Sequence, residues 1–362
     1  METHVFYTIT RAEKAGAQYH IEQLLGHFND RFELSLAVGE PGYLSDKAES
    51  LGIKTYIIPS LMRAIRPHHD RTAYLALKRL LADTRPDMVH SHSFKAGVLS
   101  RLAASQLGVP NIFTAHGWAF ADGTPLPQRL LGIIVERYLA RRTDRIITVS
   151  AADEALAIRR KISKREKFVT IPNALPDIEV PNRVPGLVPG LICVARLAYQ
   201  KNHDCMLEAV AKIDIPFRLL ILGTGSRKDA LERIIRNRNL QDRVEIKADV
   251  ADVNRYLSHA DIFILSSRWE GLSISILEAM RAALPVVATK VGGNVDAVVH
   301  GHTGILTPPN DPAKLASAIE VLLSDRKKAA EMGKAGRKRF LRLYTSDKML
   351  IATERVYQQL LK

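Results

Sequence analysis

The sequence predicts an α/β protein of two doubly wound domains, each built on a parallel sheet. Three observations lead to this prediction: the length of the chain, the alternation of strand-like and helix-like segments, and a proline-rich segment between the halves. The chain has 362 residues, well above the roughly 150 residues typical of one domain. Hydrophobic residues make up 46% and charged residues 25%, a composition typical of globular proteins.

Short β-rich segments separated by helix-like stretches recur along both halves. In the first half they are Val5–Thr10, Leu34–Gly39, Lys54–Pro59, Met88–His92, Asn111–Ala115, Arg145–Ser150 and Phe168–Pro172. In the second half they are Gly190–Arg196, Phe217–Gly223, Val244–Ala248, Ile262–Ser266, Pro285–Thr289 and Gly304–Thr307. Such alternation predicts parallel strands joined by helices.

The segment Leu175–Pro189 contains repeated prolines that prevent any regular element, and it predicts a linker. We therefore expect a first domain over residues 1–178 and a second over residues 186–345. The last stretch, 346–362, predicts an amphipathic helix that packs back on the first domain. Because doubly wound sheets bind ligands at the carboxyl ends of their strands, a deep cleft between the facing domains is the expected site.

The segment Ser266–Thr289 predicts a strand end, a Glu-Gly turn and a helix that begins near Ser273. Glu270 precedes this helix and Glu278 follows eight residues later, about 12 Å along a helix axis. That separation suits a sugar at one carboxylate and a ribose at the other, with a diphosphate at the N–H groups of the helix start. The alternative is that both are solvated carboxylates, but an unpaired charge is costly among the apolar neighbours of Glu278.

The formal net charge of +14 indicates affinity for polyanions, among them nucleic acid, anionic lipid and pyrophosphate. Aromatic residues are only 6% and are not interleaved with the basic clusters, which argues against stacking on nucleic acid bases. Leu61–Arg66, Tyr74–Leu81 and Arg129–Arg142 mix apolar and cationic residues, as helices at a membrane surface do. Core-facing helices with a basic outer face explain these segments equally well.

The chain shows no basic leader followed by a long apolar run and no stretch of about 18 apolar residues. Its two cysteines, Cys193 and Cys205, form no Cys-x-x-Cys pair and are expected to be small buried thiols in a reducing compartment. We therefore expect a cytoplasmic protein.

The Glu270 to Glu278 segment resembles the E-x7-E signature of the retaining GT-B glycosyltransferases of family four (group 1), which include bacterial O-antigen and capsular polysaccharide enzymes. The resemblance extends in the same order along nearly the whole chain, through Thr114–Gly117, Ile147–Ser150, Ile171–Asn173, Val194–Lys201, Leu220–Gly225 and Val291–Gly293. It implies a GT-B fold: two Rossmann-like domains facing a deep cleft, the first for the acceptor and the second for a nucleotide sugar.

The resemblance also implies roles for individual residues. The donor diphosphate is bound by Gly16, Arg196, Lys201, Gly271, Leu272 and Ser273. The ribose and base are bound by Glu278, Gly223 and Val250, and His116 and Glu270 are the catalytic, sugar-binding residues. Ala15 stands where the family usually has a second glycine, so the geometry of that loop departs from the pattern.

The function implied is a retaining, metal-independent glycosyltransferase. It would use no cofactor and would move a hexose or N-acetylhexosamine from a UDP-sugar, UDP-GalNAc among the candidates, to a lipid-pyrophosphate-linked glycan. Peripheral contact with the inner face of the cytoplasmic membrane is expected, and nucleic acid binding is not. Two alternatives stay open: a nucleotide-sugar epimerase of the same fold, and a non-enzymatic basic protein that binds membranes or nucleic acid.

Overall fold

The computed structural model describes residues 3–179, 186–248, 250 and 252–361. The chain divides into two compact units. The first joins Met1–Asn173 to Ser346–Lys362, and the second is Ala174–Thr345. Among the residues described, no helix is long and apolar enough to cross a membrane.

The first unit contains a sheet of seven strands, all parallel, in the order β3-β2-β1-β4-β5-β6-β7. Its strands are β1 (His4–Thr8), β2 (Glu33–Val38), β3 (Lys54–Ile57), β4 (Met88–His92), β5 (Asn111–Ala115), β6 (Arg145–Thr148) and β7 (Phe168–Thr170). Its helices are α1 (Gly16–Phe28), α2 (Tyr43–Ser50), α3 (Pro67–Thr84), α4 (Phe94–Leu107), α5 (Leu126–Ala140) and α6 (Ala151–Arg159). A 3-10 turn, Arg165–Lys167, precedes β7.

The second unit contains a sheet of six parallel strands in the order β10-β9-β8-β11-β12-β13. Its strands are β8 (Gly190–Val194), β9 (Arg218–Leu222), β10 (Val244–Lys247), β11 (Ile262–Leu265), β12 (Val286–Thr289) and β13 (Gly304–Thr307). Its helices are α7 (His203–Val210), α8 (Lys228–Asn237), α9 (Val253–Ser258), α10 (Ile274–Arg281), α11 (Asn294–Ala297), α12 (Pro312–Ser324) and α13 (Arg326–Leu343). A 3-10 turn, Tyr199–Lys201, leads into α7.

Each strand-like segment predicted from the sequence overlaps one strand of the structure. The central strands are continuous apolar runs because helices cover both faces of a parallel sheet. In β11 and β12 every residue is buried. The same holds for β4, although its sequence includes His90, Ser91 and His92. Burial of these polar side chains is offset by hydrogen bonds: His90 bonds to Tyr357 and Thr114, and the hydroxyl of Ser91 donates to the carbonyl of Ile112.

The first unit ends at Asn173, earlier than the boundary at 178 expected from the sequence. The reason is that the next residues are bound by the second unit. The N–H of Leu175 donates to the carbonyl of Tyr344 at 3.0 Å, and Arg281 donates to the carbonyl of Pro176 at 2.9 Å. Of the linker expected over 175–189, residues 180–185 lie outside the described part of the chain.

The helix α14 (Ser346–Leu360) belongs to the first unit. Its Tyr357 hydroxyl lies 2.8 Å from the hydroxyl of Tyr7 on β1 and 2.6 Å from Nδ1 of His90 on β4. All three side chains are fully buried. This hydrogen-bonded group therefore joins the last helix to the centre of the first sheet.

Candidate functional site

The carboxyl ends of β8 and β11 meet at the point where the strand order of the second sheet reverses. The loops that follow these two strands bond to each other: the N–H of Arg268 donates to the carbonyl of Gln200 at 2.8 Å. The buried hydroxyl of Ser266 donates to the carbonyls of Lys201 and Asn202 at 3.1 and 2.9 Å. The two loops thus form one continuous surface at the position where doubly wound sheets bind ligands.

Lys201 and Glu270, on these two loops, form an ion pair. The ammonium of Lys201 donates to Oε1 of Glu270 at 2.5 Å, and the side chains are 13% and 7% exposed. The same carboxylate accepts from the hydroxyl of Ser267 at 2.5 Å and, more weakly, from Gln200 at 3.4 Å. Sequence analysis predicted these two residues for different parts of the donor, and the fold brings them into contact.

The backbone around Glu270 is held by the loop after β12. Gly292 has a φ of 44°, and a Cβ atom there would lie 1.9 Å from the carbonyl oxygen of Glu270. The N–H of Gly293 donates to the carbonyl of Gly271 at 2.7 Å. A glycine is therefore required at position 292, both for its left-handed backbone and for the close approach of two chains.

The helix α10 begins at Ile274, with the buried Ser273 as its N-cap. Residues 270–273 are not helical, so the helical rise between Glu270 and Glu278 covers only about half of the 12 Å expected from the sequence. The 12 Å figure applied the helical rise to a turn that is not helical, and the separation of the two carboxylates stays a prediction. Glu278 is half-buried in the second turn of α10.

Arg196 follows β8 in a loop that lies against the loop after β9. The N–H of Leu197 donates to the carbonyl of Thr224 at 2.7 Å. A Cβ atom on Gly223 would lie 2.0 Å from the carbonyl oxygen of Ala195. Arg196 and Gly223 are both half-buried at the carboxyl edge of the sheet, and Val250, after β10, is half-buried as well.

Two buried groups, Cys193 and His203, interact electrostatically with Lys201. The thiol of Cys193 is 4.0 Å from Nε2 of His203. Burial raises the pKa of Cys193 to about 12 and lowers the pKa of His203 to about 4, so both are neutral at pH 7. Cys193 and Cys205 are buried free thiols, as the sequence predicted.

In the first unit, the predicted residue His116 directly follows β5 and contacts two other histidines. Its Nε2 is 3.0 Å from Nδ1 of His92, and its ring centre is 4.9 Å from that of His20. Gly16 is the first residue of α1, the helix that carries His20. His20 and His92 were not among the site residues predicted from the sequence.

The imidazoles of this cluster are neutral. Burial, reinforced by the neighbouring histidines, lowers the pKa of His92 and of His116 well below the usual 6.5. Burial also lowers the pKa of His20 to about 4, against a smaller opposing effect of the hydrogen bond to Asn173. The one available sequence signal was the His-Ser-His alternation of β4, which places His90 and His92 on the same face of the sheet.

Comparison with known proteins identifies the family. Residues 15–174 match the family model "Glycosyl transferase 4-like domain", and residues 181–339 match "Glycosyl transferases group 1". The chain is 30% identical over 288 residues to EpsD of Bacillus subtilis (strain 168), named as a candidate glycosyltransferase, over 74% of this chain and 76% of that one. The chain belongs to the group 1 glycosyltransferases.

This group 1 glycosyltransferase is also similar to an enzyme of Escherichia coli, UDP-Gal:alpha-D-GlcNAc-diphosphoundecaprenol alpha-1,3-galactosyltransferase. The two are 29% identical over 319 residues, 82% of each chain. Both relatives and both family models agree with the predicted enzyme class. The residues that carried the resemblance were therefore interpreted correctly at the level of the family.

Solved structures confirm the predicted GT-B fold of the group 1 glycosyltransferase. Anabaena Alr3699/HepE in complex with UDP and glucose matches with a TM-score of 0.85 and 19% identity over 99% of this chain and 100% of that one. Sucrose-phosphate synthase from Thermosynechococcus elongatus matches with a TM-score of 0.84 and 22% identity over 99% of each chain.

Proposed function

We propose that this glycosyltransferase is retaining and metal-independent, needs no cofactor, and transfers a hexose or N-acetylhexosamine from a UDP-sugar to a lipid-pyrophosphate-linked glycan. The product would enter a surface polysaccharide such as an O-antigen or capsule. The observation that carries the proposal is the buried Lys201–Glu270 pair beside the start of α10. The names of the Escherichia coli relative and of the UDP-bound Anabaena structure support the donor and acceptor classes.

Lys201 and Arg196 supply the positive charge that the donor diphosphate requires. An ammonium has three donor hydrogens, so Lys201 can keep its bond to Glu270 and still donate to a phosphate oxygen. Arg196 offers a planar fork of N–H donors to the same group. Together with the N–H groups around Gly271, Leu272 and Ser273, these cations stabilise the charge that grows on UDP as the glycosidic bond breaks.

Glu270 is positioned to bind the donor sugar. Its Oε1 accepts from Lys201 and Ser267. Among the described residues, Oε2 has only the long 3.4 Å contact with Gln200, which a sugar hydroxyl can replace. A carboxylate held in an ion pair is a weak nucleophile. We therefore assign retention to attack from the leaving-group face, with a phosphate oxygen accepting the proton of the acceptor hydroxyl.

The remaining predicted residues complete the proposed site. Glu278 accepts hydrogen bonds from the ribose hydroxyls, while Gly223 and Val250 lie along the nucleotide. We assign His116 to the donor sugar and reacting centre, where a neutral imidazole exchanges one hydrogen bond without adding charge. Gly16 allows the backbone at the start of α1 to approach the donor phosphate.

The proposed peripheral contact with the inner face of the membrane is supported by α5. Its exposed face carries large apolar side chains: Leu126, Leu130, Leu131, Ile134 and Tyr138. Arg137 lies in the last turn of the same helix, and Arg141 and Arg142 directly follow it. An apolar stripe flanked by cations is typical of helices that lie on anionic lipid.

The test is a transfer assay with a panel of UDP-sugars and a short lipid-pyrophosphate acceptor, repeated with excess chelator. We expect turnover that survives chelation, an anomeric configuration retained in the product, and a kcat about 100- to 1,000-fold lower for Glu270→Gln. The matched control is Glu245→Gln on β10, whose 64% exposed carboxylate pairs with Lys247 at the surface. A fold check by melting temperature accompanies both variants.

Each part of the proposal has its own contrary outcome. Conversion of the donor sugar to its epimer without any acceptor would identify an epimerase. Inverted product would refute retention, and loss of activity on chelation would refute metal independence. Equal turnover of Glu270→Gln and Glu245→Gln would show that Glu270 is not part of the donor site.

A further inference from the structure

Three histidines from three elements of the first unit share one cluster. They are His20 on α1, His92 at the end of β4, and His116 after β5. One ring nitrogen of each lies within 4.8 Å of a ring nitrogen of both others. His20 and His92 are buried, whereas His116 is half-buried and gives the cluster an accessible side.

Each of the three rings has a buried nitrogen without a hydrogen-bond partner among the described residues. These atoms are Nδ1 of His20, Nε2 of His92 and Nδ1 of His116. The neighbouring His90 shows the ordinary alternative, because its two nitrogens bond to Tyr357 at 2.6 Å and to Thr114 at 2.7 Å. In His92 and His116 the unpaired nitrogens are not the two that face each other, which are Nδ1 of His92 and Nε2 of His116 at 3.0 Å. The candidate ligand atoms are therefore this facing pair together with one nitrogen of His20.

The spacing of the rings fits a metal ion. A tetrahedral ion bound at about 2.0–2.1 Å places each imidazole centre about 3.2 Å from the metal and the centres about 5 Å apart. The observed distances are 4.9 Å for His20 and His116, 5.3 Å for His92 and His116, and 5.7 Å for His20 and His92. Nδ1 of His92 and Nε2 of His116 are 3.0 Å apart, close to the roughly 3.3 Å between two such ligand atoms, and a bound ion would replace the hydrogen bond between them.

The donor set selects the kind of metal. All three donors are imidazole nitrogens, which suit Zn²⁺, Co²⁺, Ni²⁺ and Cu²⁺ and not Mg²⁺ or Ca²⁺. Burial keeps the rings unprotonated at neutral pH, so a metal does not have to displace protons in order to bind. Three histidines leave a fourth coordination position for water or for an oxygen of a ligand.

We propose that His20, His92 and His116 form a binding site for one transition-metal ion of the Zn²⁺ class, and that the bound ion inhibits sugar transfer. Inhibition follows because coordination occupies the lone pair of His116 and adds two positive charges beside it. This second part rests on the proposed role of His116 at the reacting centre. The ion is an inhibitor here, so the site agrees with a transfer reaction that needs no metal.

Binding is tested first, without reference to activity. The full chain, free of any polyhistidine tag and treated with chelator, is titrated with Co²⁺ and followed by its visible absorption. We expect the intense bands of tetrahedral Co²⁺ at one ion per chain, displaced by one equivalent of Zn²⁺. Absence of these bands in the unaltered chain overturns the site, so this test does not depend on any variant folding.

Variants then locate the ion. Loss of a second-sphere partner already weakens metal sites by about 10- to 100-fold, so His116→Ala and His20→Gln are each expected to weaken Co²⁺ binding by about 100-fold or more. The control is His68→Ala with His69→Ala, two exposed histidines of α3. Unchanged bands in both cluster variants, or loss of the bands in the control, would contradict the assignment.

The inhibitory part is tested by Zn²⁺ titration of the transfer assay. We expect Zn²⁺ to inhibit transfer at the concentration at which it displaces Co²⁺ from the histidine cluster. Addition of chelator should restore turnover. If Zn²⁺ binds at the cluster and turnover is unchanged, the proposed inhibition and the proposed role of His116 are refuted. The metal site itself is then still supported. If no donor is turned over under any condition, the proposed function fails and the binding result is unaffected.

Discussion

Among single residues, Gly292 positions the backbone of Glu270, and with it the carboxylate, although Gly292 lies on a different loop. We expect Gly292→Ala to lower the free energy of unfolding by about 3 kcal/mol or more, because a left-handed alanine costs roughly 1–2 kcal/mol and its Cβ meets the Glu270 backbone at 1.9 Å. Donor affinity should fall with it. Chemical denaturation and UDP-sugar binding measure the two effects.

The matched control for this substitution is Gly301→Ala. Gly301 also has a positive φ, 79°, but nothing lies within 4 Å of the added Cβ. We expect a loss of only about 1 kcal/mol there, with donor binding unchanged. Similar losses at both positions would show that the contact with Glu270 is unimportant.

Local motifs of the sequence were enough to select the candidate site residues of the second unit, but not to predict the contacts between them. Glu270 and Lys201 stand in motifs whose order and spacing are local, so their selection needed no fold. Their ion pair depends on β8 and β11 being neighbours, which no local pattern encodes. Nothing in the sequence distinguished His20 as a candidate site residue, because a single histidine in an amphipathic helix is common. Only the fold shows that two other histidines lie beside it.

At the level of helices and strands, α4 and α5 are joined by a fully buried ion pair. Arg101 donates to both carboxylate oxygens of Glu136, at 2.8 and 2.9 Å, and both side chains are completely buried. Arg101 also donates to the carbonyl of Gly97 at 2.8 Å, and its guanidinium lies 3.9 Å from the centre of the Phe113 ring.

We expect Glu136→Leu to destabilise the first unit by about 3–5 kcal/mol, because it leaves the guanidinium of Arg101 buried without its counter-charge. The double variant with Arg101→Met should recover much of that loss, since both charges are then gone. Denaturant unfolding of the single and double variants measures the coupling. Glu232→Leu, in the exposed pair with Lys228, is the control and should change stability by no more than about 0.5 kcal/mol.

This pair also explains why the sequence of α5 could not be interpreted fully. An amphipathic helix normally buries its leucines and exposes its glutamates. Here Glu136 is buried while Leu130 and Ile134 are 53% and 65% exposed, because the partner charge comes from α4. Strand positions, by contrast, followed directly from apolar runs, since a strand buried on both faces carries its signal in its own residues.

Over the whole molecule, the net charge of +14 and the exposed apolar face of α5 both favour binding to anionic lipid. We expect the chain to bind vesicles that contain anionic lipid and to bind zwitterionic vesicles much less. The double substitution Leu130→Ser, Ile134→Ser should reduce binding about 10-fold or more, because it removes two side chains from the lipid contact. Vesicle co-sedimentation at low salt measures the bound fraction.

A control with the same chemistry is available on other helices. Leu341→Ser with Ile351→Ser alters two apolar residues that are 39% and 47% exposed on α13 and α14. This variant should bind vesicles as the unaltered chain does. An equal loss in the two double variants, or equal binding to uncharged vesicles, would contradict a specific role of α5.

The hydroxyl of Tyr357 that joins α14 to Tyr7 and His90 has a consequence for synthesis on the ribosome. The strands of the first sheet are synthesised early. Tyr7 and His90 at its centre, however, bond to Tyr357, which is synthesised only after the entire Ala174–Thr345 unit. At about 5–20 residues per second, that delay is about 10 to 30 s. We therefore expect the second unit, whose sequence is continuous, to complete its folding before the first unit does. Until Tyr357 has been synthesised, we expect the first unit to depend on chaperones.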